Sequence, residues 1–301
     1  MTATVDTRPR QAPATPKSRR SARSSSPSRV LRRRISAGLL LVFSLIMLLP
    51  ILMVLNVSLR PAGDTSTGAL SLPSHLAWGN YADMFRRMNF LQSLSNTLTI
   101  TLVSIVVVVL AGSAAAWAIA RHGRTWTTFT YHVFVSGLTI PVFVLLTPLY
   151  LLMRQLTLLD TFPAVIIGNV ALNLPFAVFF YSSFLRTVPT ELEEAAAIDG
   201  CGVFRTYWSI VLPLLKPATA TIAIFVSIGI WNDLVLPLLF LSSPSKTTIT
   251  LSVYSFIGSQ GRFKPAELFP AVALATIPLF LLFAVMQRRI VAGMTAGMGK
   301  R

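Results

Sequence analysis

Charge is scarce in this chain of 301 residues, and acidic charge is scarcest. Ten Asp and Glu stand against 26 Lys and Arg, and charged residues make up 12% of the whole. Soluble globular domains carry about a quarter charged residues, so this composition excludes an ordinary water-soluble enzyme or binding module. Cysteine is nearly absent. Cys201 alone cannot close an internal disulfide, and it reads as a space-filling residue on the reduced side of a membrane. No His/Cys/carboxylate cluster has metal-ligand spacing, and His132 reads as an interfacial side chain. No nucleophile–base pair is recognisable, so no catalytic residue is assigned. The G-x-x-x-x-G-K-[ST] phosphate loop is missing as well, so ATP binding by this chain is not expected.

What replaces the missing charge is apolar sequence, 53% of the residues. Charge-free runs extend over Ile35 to Leu59, Met88 to Ala120, Thr125 to Met153, Thr161 to Leu185 and Leu268 to Gln287. A sixth, Pro217 to Ser245, is interrupted only by Asp233. Each matches or exceeds the roughly 20 apolar residues that cross a hydrocarbon core. The expected fold is therefore an all-α polytopic membrane protein with six transmembrane helices, near 36–58, 96–119, 131–153, 163–184, 218–241 and 268–287. Little chain remains for a soluble catalytic domain. Pro50, Pro141, Pro148, Pro175, Pro237, Pro270 and Pro278 fall inside these spans. Each removes a backbone donor and tends to kink its helix, which together suits a bundle bent around a pathway.

The net charge of +16 is not spread as a nucleic-acid-binding surface. Ten basic residues precede residue 35, in a Ser/Pro/Arg tail. Residues 1–30 are expected to be a disordered cytoplasmic tail, followed by a membrane domain over 31–301. With both termini in the cytoplasm, 19 basic residues fall inside and 7 outside, as the positive-inside rule requires. The tail carries that argument, because without it the balance is 9 against 7. It serves as an orientation signal or rests on anionic lipid. A cleaved signal peptide is disfavoured: the run behind Arg34 is 25 residues long, against about 7–15 for a signal core. The location implied is a cell membrane.

The external loop 61–93 has turn residues and then an amphipathic stretch, Tyr81 to Phe85, suited to the outer interface. The cytoplasmic connection 187–213 is more informative. Thr190 and Glu193 have capping-box spacing. Glu191, Glu193 and Glu194 crowd a first helical turn, where the helix dipole favours carboxylates. Ala195, Ala196 and Ala197 favour helix, and Gly200 stands where a left-handed residue would end it. A second helix is predicted from Val203 to Leu212, up to Pro213. Leu192, Ala195, Ala196 and Asp199 share one face by helical spacing.

This loop resembles the signature of ABC importer permeases, E-A-A-x-x-x-G followed by I-x-L-P, with Glu194, Ala195, Ala196, Gly200, Ile210, Leu212 and Pro213 in register. The resemblance implies a coupling helix that docks on an ATP-hydrolysing partner. Glu194 would then be its acidic anchor, Ala195 and Ala196 its close contacts, and Gly200 its turn. Further blocks resemble the six-helix, maltose-type carbohydrate permeases. They are Asn80-Tyr81, Ser95 to Leu98, Ala114 to Arg121, Trp231-Asn232-Asp233 with Pro237-Leu238, and Gln287 to Gly297. Trp117 stands where that pattern usually has tyrosine. The family implies a second homologous permease, an ATPase dimer that holds ATP and Mg, and an extracytoplasmic sugar-binding protein. It also implies a lipid setting, in the cytoplasmic membrane of a bacterium, and no nucleic acid.

Asp233 is the one acid well inside a span, which makes it a candidate for the substrate pathway. Trp231 and Asn232 would add an aromatic face and hydrogen-bond partners for sugar hydroxyls. Asn169 and Asn173 are further candidates, although buried amides also serve helix packing. The external segments Thr247 to Leu251 and Gly258 to Gly261 either reach toward a docked binding protein or are simple connectors. Two rival readings stay open at this point. One is an ion-coupled secondary transporter, and the other is an ABC permease for a polyol or glycerol phosphate.

Overall fold

A computed structural model describes residues 27–61, 71–122, 125–258 and 264–298. Among them the secondary structure is helical throughout. The elements are α1 (Pro27–Ser58), α2 (Gly79–Arg87), α3 (Phe90–Arg121), α4 (Thr125–Gly137), α5 (Val142–Gln155), α6 (Phe162–Leu185) and α7 (Glu191–Ile198). After them come α8 (Val203–Thr206), a π-helical turn (Tyr207–Val211), α9 (Leu212–Leu214), α10 (Lys216–Trp231) and α11 (Val235–Phe240). A 3₁₀ turn (Pro244–Lys246), α12 (Ile249–Gly258) and α13 (Pro265–Met298) complete the order. The expected tail over 1–30 falls largely outside the described residues, and α1 begins within its last turn, at Pro27.

The chain divides into two compact units, one reaching Ile51 and one from Leu52 onward. In the first, the apolar side chains of α1 from Ile35 to Ile51 are all exposed, as suits a lipid-facing helix. The second unit is built on α3 packed along α6. A core of fully buried Val108, Ala116, Val165, Ala177, Tyr181 and Ile222 joins these two helices to α10. Small residues carry the α3–α6 contact. A Cβ placed on Gly112 would stand 2.8 Å from the Cβ of Ala177. Lipid offers no hydrophobic drive for helix association, so such close approach supplies the van der Waals contact that holds the pair.

Three helices are long and apolar enough to cross a membrane unbroken, within Arg34–Ser58, Phe90–Arg121 and Phe162–Leu185. Two predicted spans are not continuous. The one expected over 131–153 is α4 and α5, set at 103° to each other. Pro141 precedes α5 with an extended backbone, has no N–H to give, and disfavours a helical Ile140. The span expected over 218–241 stops at Trp231. Asp233 Oδ1 accepts from the backbone N–H of Val235 at 2.9 Å and of Leu236 at 3.2 Å, and so starts α11 as a new helix. Below it, Val203–Leu214 and Lys216–Trp231 meet at 72°. If each bent pair is one crossing, the spans number up to five, and Pro265–Leu281 adds a shorter apolar helix. The amphipathic stretch near Tyr81 is α2, with Met84 turned into a second core beside Met88 and Phe90. Its Asn80 ties it to the end of α1 by donating to the carbonyls of Ser58 and Arg60 at 3.0 and 2.8 Å.

Candidate functional site

The connection between α6 and α10 is a helix–turn–helix, but it begins differently from the expectation. Thr190 is itself helical and its side chain caps nothing, so the capping box does not form. Glu193, the expected partner, is drawn to α3 instead. Trp117 Nε1 donates to Glu193 Oε2 at 2.8 Å, and Arg121 Nε donates to Oε1 at 2.9 Å. Arg121 Nη2 lies 2.9 Å from the same oxygen. The guanidinium also reaches the carbonyls of Leu185 (3.4 Å) and Val188 (3.1 Å) at the end of α6. Both charged side chains are sheltered, at 14% and 13% exposure. Charge-assisted bonds in such a setting are shorter and stronger than neutral ones.

Gly200 closes α7 with φ +79°. Its N–H reaches Ala197 and that of Cys201 reaches Ala196, at 3.1 and 2.9 Å, the paired bonds of a Schellman ending. No atom crowds the place where a side chain would sit, so glycine answers the backbone angle here and not a lack of space. The second helix is also irregular. It runs from α8 into the π turn and α9, passing Pro213 before it breaks at Leu215. Tyr207 anchors the π turn: its hydroxyl and that of Ser113 are 2.7 Å apart, and its ring centroid lies 5.6 Å from that of Trp117. A cleft of about 690 Å³ opens here, lined by Trp117, Arg121, Cys201, Phe204 and Trp208 among others.

The signature residues therefore divide in two. Glu194, Ala195, Asp199 and Gly200 lie on the surface, beside exposed Ile198, Val203 and Phe204. Ala196 is buried, so of the two expected close contacts only Ala195 is offered to a partner. Ile210, Leu212 and Pro213 are half-buried, with Leu212 packed on the main core. They lie along the chain that leads from the π turn toward α10.

The pathway candidates also separate. Trp231 is buried in the second core with Met84, Phe90 and Ile249, and its carbonyl accepts from Thr250 Oγ1 at 2.7 Å. Its ring presents no open face to a ligand. Asn232 is exposed and donates back to Ile228 at 2.8 Å. Asp233 uses Oδ1 as the α11 cap, while its Oδ2 is buried. Asn169 of α6 lies beside it, with its amide donating to Val165. Asn173, one turn on, donates to the Asn169 carbonyl at 2.8 Å.

Sequence reasoning missed the anchoring of the segment after α11. Asp160, in the left-handed region at φ 57°, accepts from the backbone N–H of Ser242 and of Ser243, each at 3.0 Å. The Ser243 hydroxyl and the Lys246 ammonium also bond its carboxylate. Farther on, Asn96 donates to the carbonyls of Ser245 and Thr247, both at 2.9 Å, and Thr97 Oγ1 accepts from Ile249 N–H at 2.9 Å. Thr247 to Leu251 is thus bound down at the start of α12, with Thr248 and Ile249 buried, and is not a reaching arm. The Gly258 to Gly261 expectation falls mostly outside the described residues. The one local hint was the Asn96-Thr97 pair at the end of an apolar run.

The Ser243 hydroxyl, then the N–H groups of Ser243 and Ser242, hold the Asp160 carboxyl well below the usual carboxylate range. A depressed folded-state pKa gives stability that is complete above about pH 4 and is lost as pH falls through the depressed value. An Asp160→Asn change should loosen residues 241–244 at neutral pH, read as faster amide exchange there. Unchanged exchange would refute the clamp.

A family profile described as the binding-protein-dependent transport system inner membrane component matches residues 108–296. The diacetylchitobiose uptake system permease protein NgcG of Streptomyces coelicolor is 33% identical over 264 residues, 87% of each chain. The trehalose transport system permease protein SugB of Mycobacterium tuberculosis is 34% identical, covering 83% of this chain and 91% of its own. The melibiose/raffinose/stachyose import permease protein MelC of Bacillus subtilis is 34% identical, covering 83% and 90%. Among solved structures, a chain of a bacterial ABC transporter that imports the acidic polysaccharide alginate superposes with TM-score 0.73 at 22% identity. The superposition covers 87% of this chain and 98% of that one, and it shows a shared fold. By the span of the profile and the length of these alignments, the chain belongs to the inner membrane components of binding-protein-dependent transport systems, as a multi-pass protein of the cytoplasmic membrane.

Proposed function

We propose that this chain is the substrate-translocating permease of an ATP-driven ABC importer for sugars or oligosaccharides. The observation that carries the reading is the α7–Gly200–α8 loop. It presents an acidic helix and exposed Ile198, Val203 and Phe204 on one side, and is tied into the bundle on the other. The names of the relatives, which specify diacetylchitobiose, trehalose and melibiose/raffinose/stachyose, favour a carbohydrate cargo.

On this reading six crossings are made by α1, α3, α4 with α5, α6, α10 with α11, and α13. Both termini then lie in the cytoplasm, and α7 faces an ATPase there. ATP and Mg reside on an ATPase dimer, a second homologous permease completes the channel, and an extracytoplasmic binding protein delivers the sugar. Glu194 anchors the ATPase, while Ala195 and Asp199 line the contact. Closure of the ATPases on ATP moves α7, and access alternates along a path between α5, α6 and α10. Asp233, with Asn169 and Asn173 behind it and Asn232 at the surface, supplies polar groups for sugar hydroxyls along that path.

The test is uptake into vesicles holding the complete complex. ATP-dependent uptake that requires the binding protein supports the reading. Uptake that survives loss of the ATPase and collapses with the proton gradient overturns it. An Asp233→Asn change keeps an equally good helix cap, while it removes the charge and turns the buried second oxygen into an amide donor. Uptake is expected to fall about tenfold with a normal thermal midpoint, as when one charged hydrogen bond of about 1.5–3 kcal/mol is lost. Unchanged uptake removes Asp233 from the path.

A further inference from the structure

We propose that Arg121 and Glu193, joined by Trp117, are the strap that makes α3 follow the coupling helix. The inference rests on the reading of α7 as that helix. Covalently, α7 continues only from α6 and toward α8, so motion imposed on it reaches α6 directly. It reaches α3 only through side chains.

Those side chains converge on one carboxylate. Glu193 Oε2 receives Trp117 Nε1 and Oε1 receives Arg121 Nε, at 2.8 and 2.9 Å, both from the last turns of α3. Arg121 then carries the connection on to the Leu185 and Val188 carbonyls at the end of α6. One guanidinium thus binds α3, α6 and α7 together. The planar fork of arginine suits this, since it offers several donors in fixed directions. A second tie lies just beyond, where Tyr207 meets Ser113 and stacks near Trp117.

The route toward α10 is built in the opposite way. Between Tyr207 and Lys216 the chain passes a π turn, Pro213, and a 72° bend, with Pro217 following. Interrupted backbone ladders of this kind localise bending. The strap therefore moves α3, the end of α6 and α7 as one body, and α10 changes its angle about Leu215.

The test uses the complete complex in liposomes, and reads sugar transported per ATP hydrolysed. Glu193→Gln is expected to keep ATPase association and hydrolysis while this ratio falls about fivefold or more, the lower range of site-to-site coupling. Trp117→Phe keeps a ring against Tyr207 and loses only the donor. It should lower the ratio in the same direction, and it decides the matter should the glutamine variant not assemble. A purely structural role would lower yield and leave the ratio alone. In a Cys201→Ser background, spin labels at the exposed positions Ala111 and Glu191 report the α3–α7 distance. It should be equal in resting and vanadate-trapped complexes, and should shift between those states in Glu193→Gln. An unchanged ratio in an assembled variant, or an α3–α7 distance that shifts in the Glu193 parent, overturns the strap. Failure of the parent chain to bind any ATPase would instead remove the coupling-helix reading beneath it.

Discussion

A Gly112→Val permease is expected to be strongly destabilised, with the thermal midpoint in detergent and the monodisperse yield both falling. Position 112 lies on the contact between α3 and α6, and even a methyl there meets the Ala177 Cβ at 2.8 Å. That atom is fixed to a helix backbone and cannot swing aside. Both helices would have to separate, and with them the fully buried Ala116, Ala177 and Tyr181. Overpacking of well-filled interiors costs about 1–3 kcal/mol, and valine brings two methyls beyond the clashing atom. The milder Gly112→Ala should be measurably destabilised and should recover when combined with Ala177→Gly. A valine variant with an unchanged midpoint would show that the helices do not pack as described.

The second large effect is expected at the surface. Glu194→Arg should abolish co-purification of the ATPase and ATP-driven uptake together, while the thermal midpoint of the permease stays where it was. Glu194 is exposed on α7, so reversing its charge leaves the bundle intact. Like charges brought together in an interface cost several kcal/mol, and each 1.4 kcal/mol is about tenfold in affinity. A loss of about a hundredfold or more therefore follows if basic ATPase residues receive this side chain. Normal assembly with normal uptake in that variant would remove Glu194 as the anchor.

The unbroken helices were legible because apolar length is a local property. The run from Met88 to Ala120 became α3 (Phe90–Arg121), and that from Thr161 to Leu185 became α6 (Phe162–Leu185). The breaks within two spans are not legible in the same way, although the residues responsible are visible. In the sequence Pro141 is one proline among several, whereas in the fold its extended backbone sets two helices 103° apart. The cap that Asp233 makes on α11 is not visible in the sequence, because a short-range cap inside an apolar run leaves no change of period.

The site divides along the same line. Sequence alone determined that the chain belongs in a membrane, where most of its helices run, and which loop carries the acidic helix ending at Gly200. Composition, run length and turn chemistry are written into neighbouring residues, so no fold was needed to read them. Only the tertiary structure decided that Glu193 leaves Thr190 for Trp117 and Arg121, 76 and 72 residues earlier. It also decided that Trp231 is core, and that Asp160 holds Ser243, 83 residues away. Contacts across such separations depend on how whole helices pack, and a buried charge takes whichever partner that packing brings within reach.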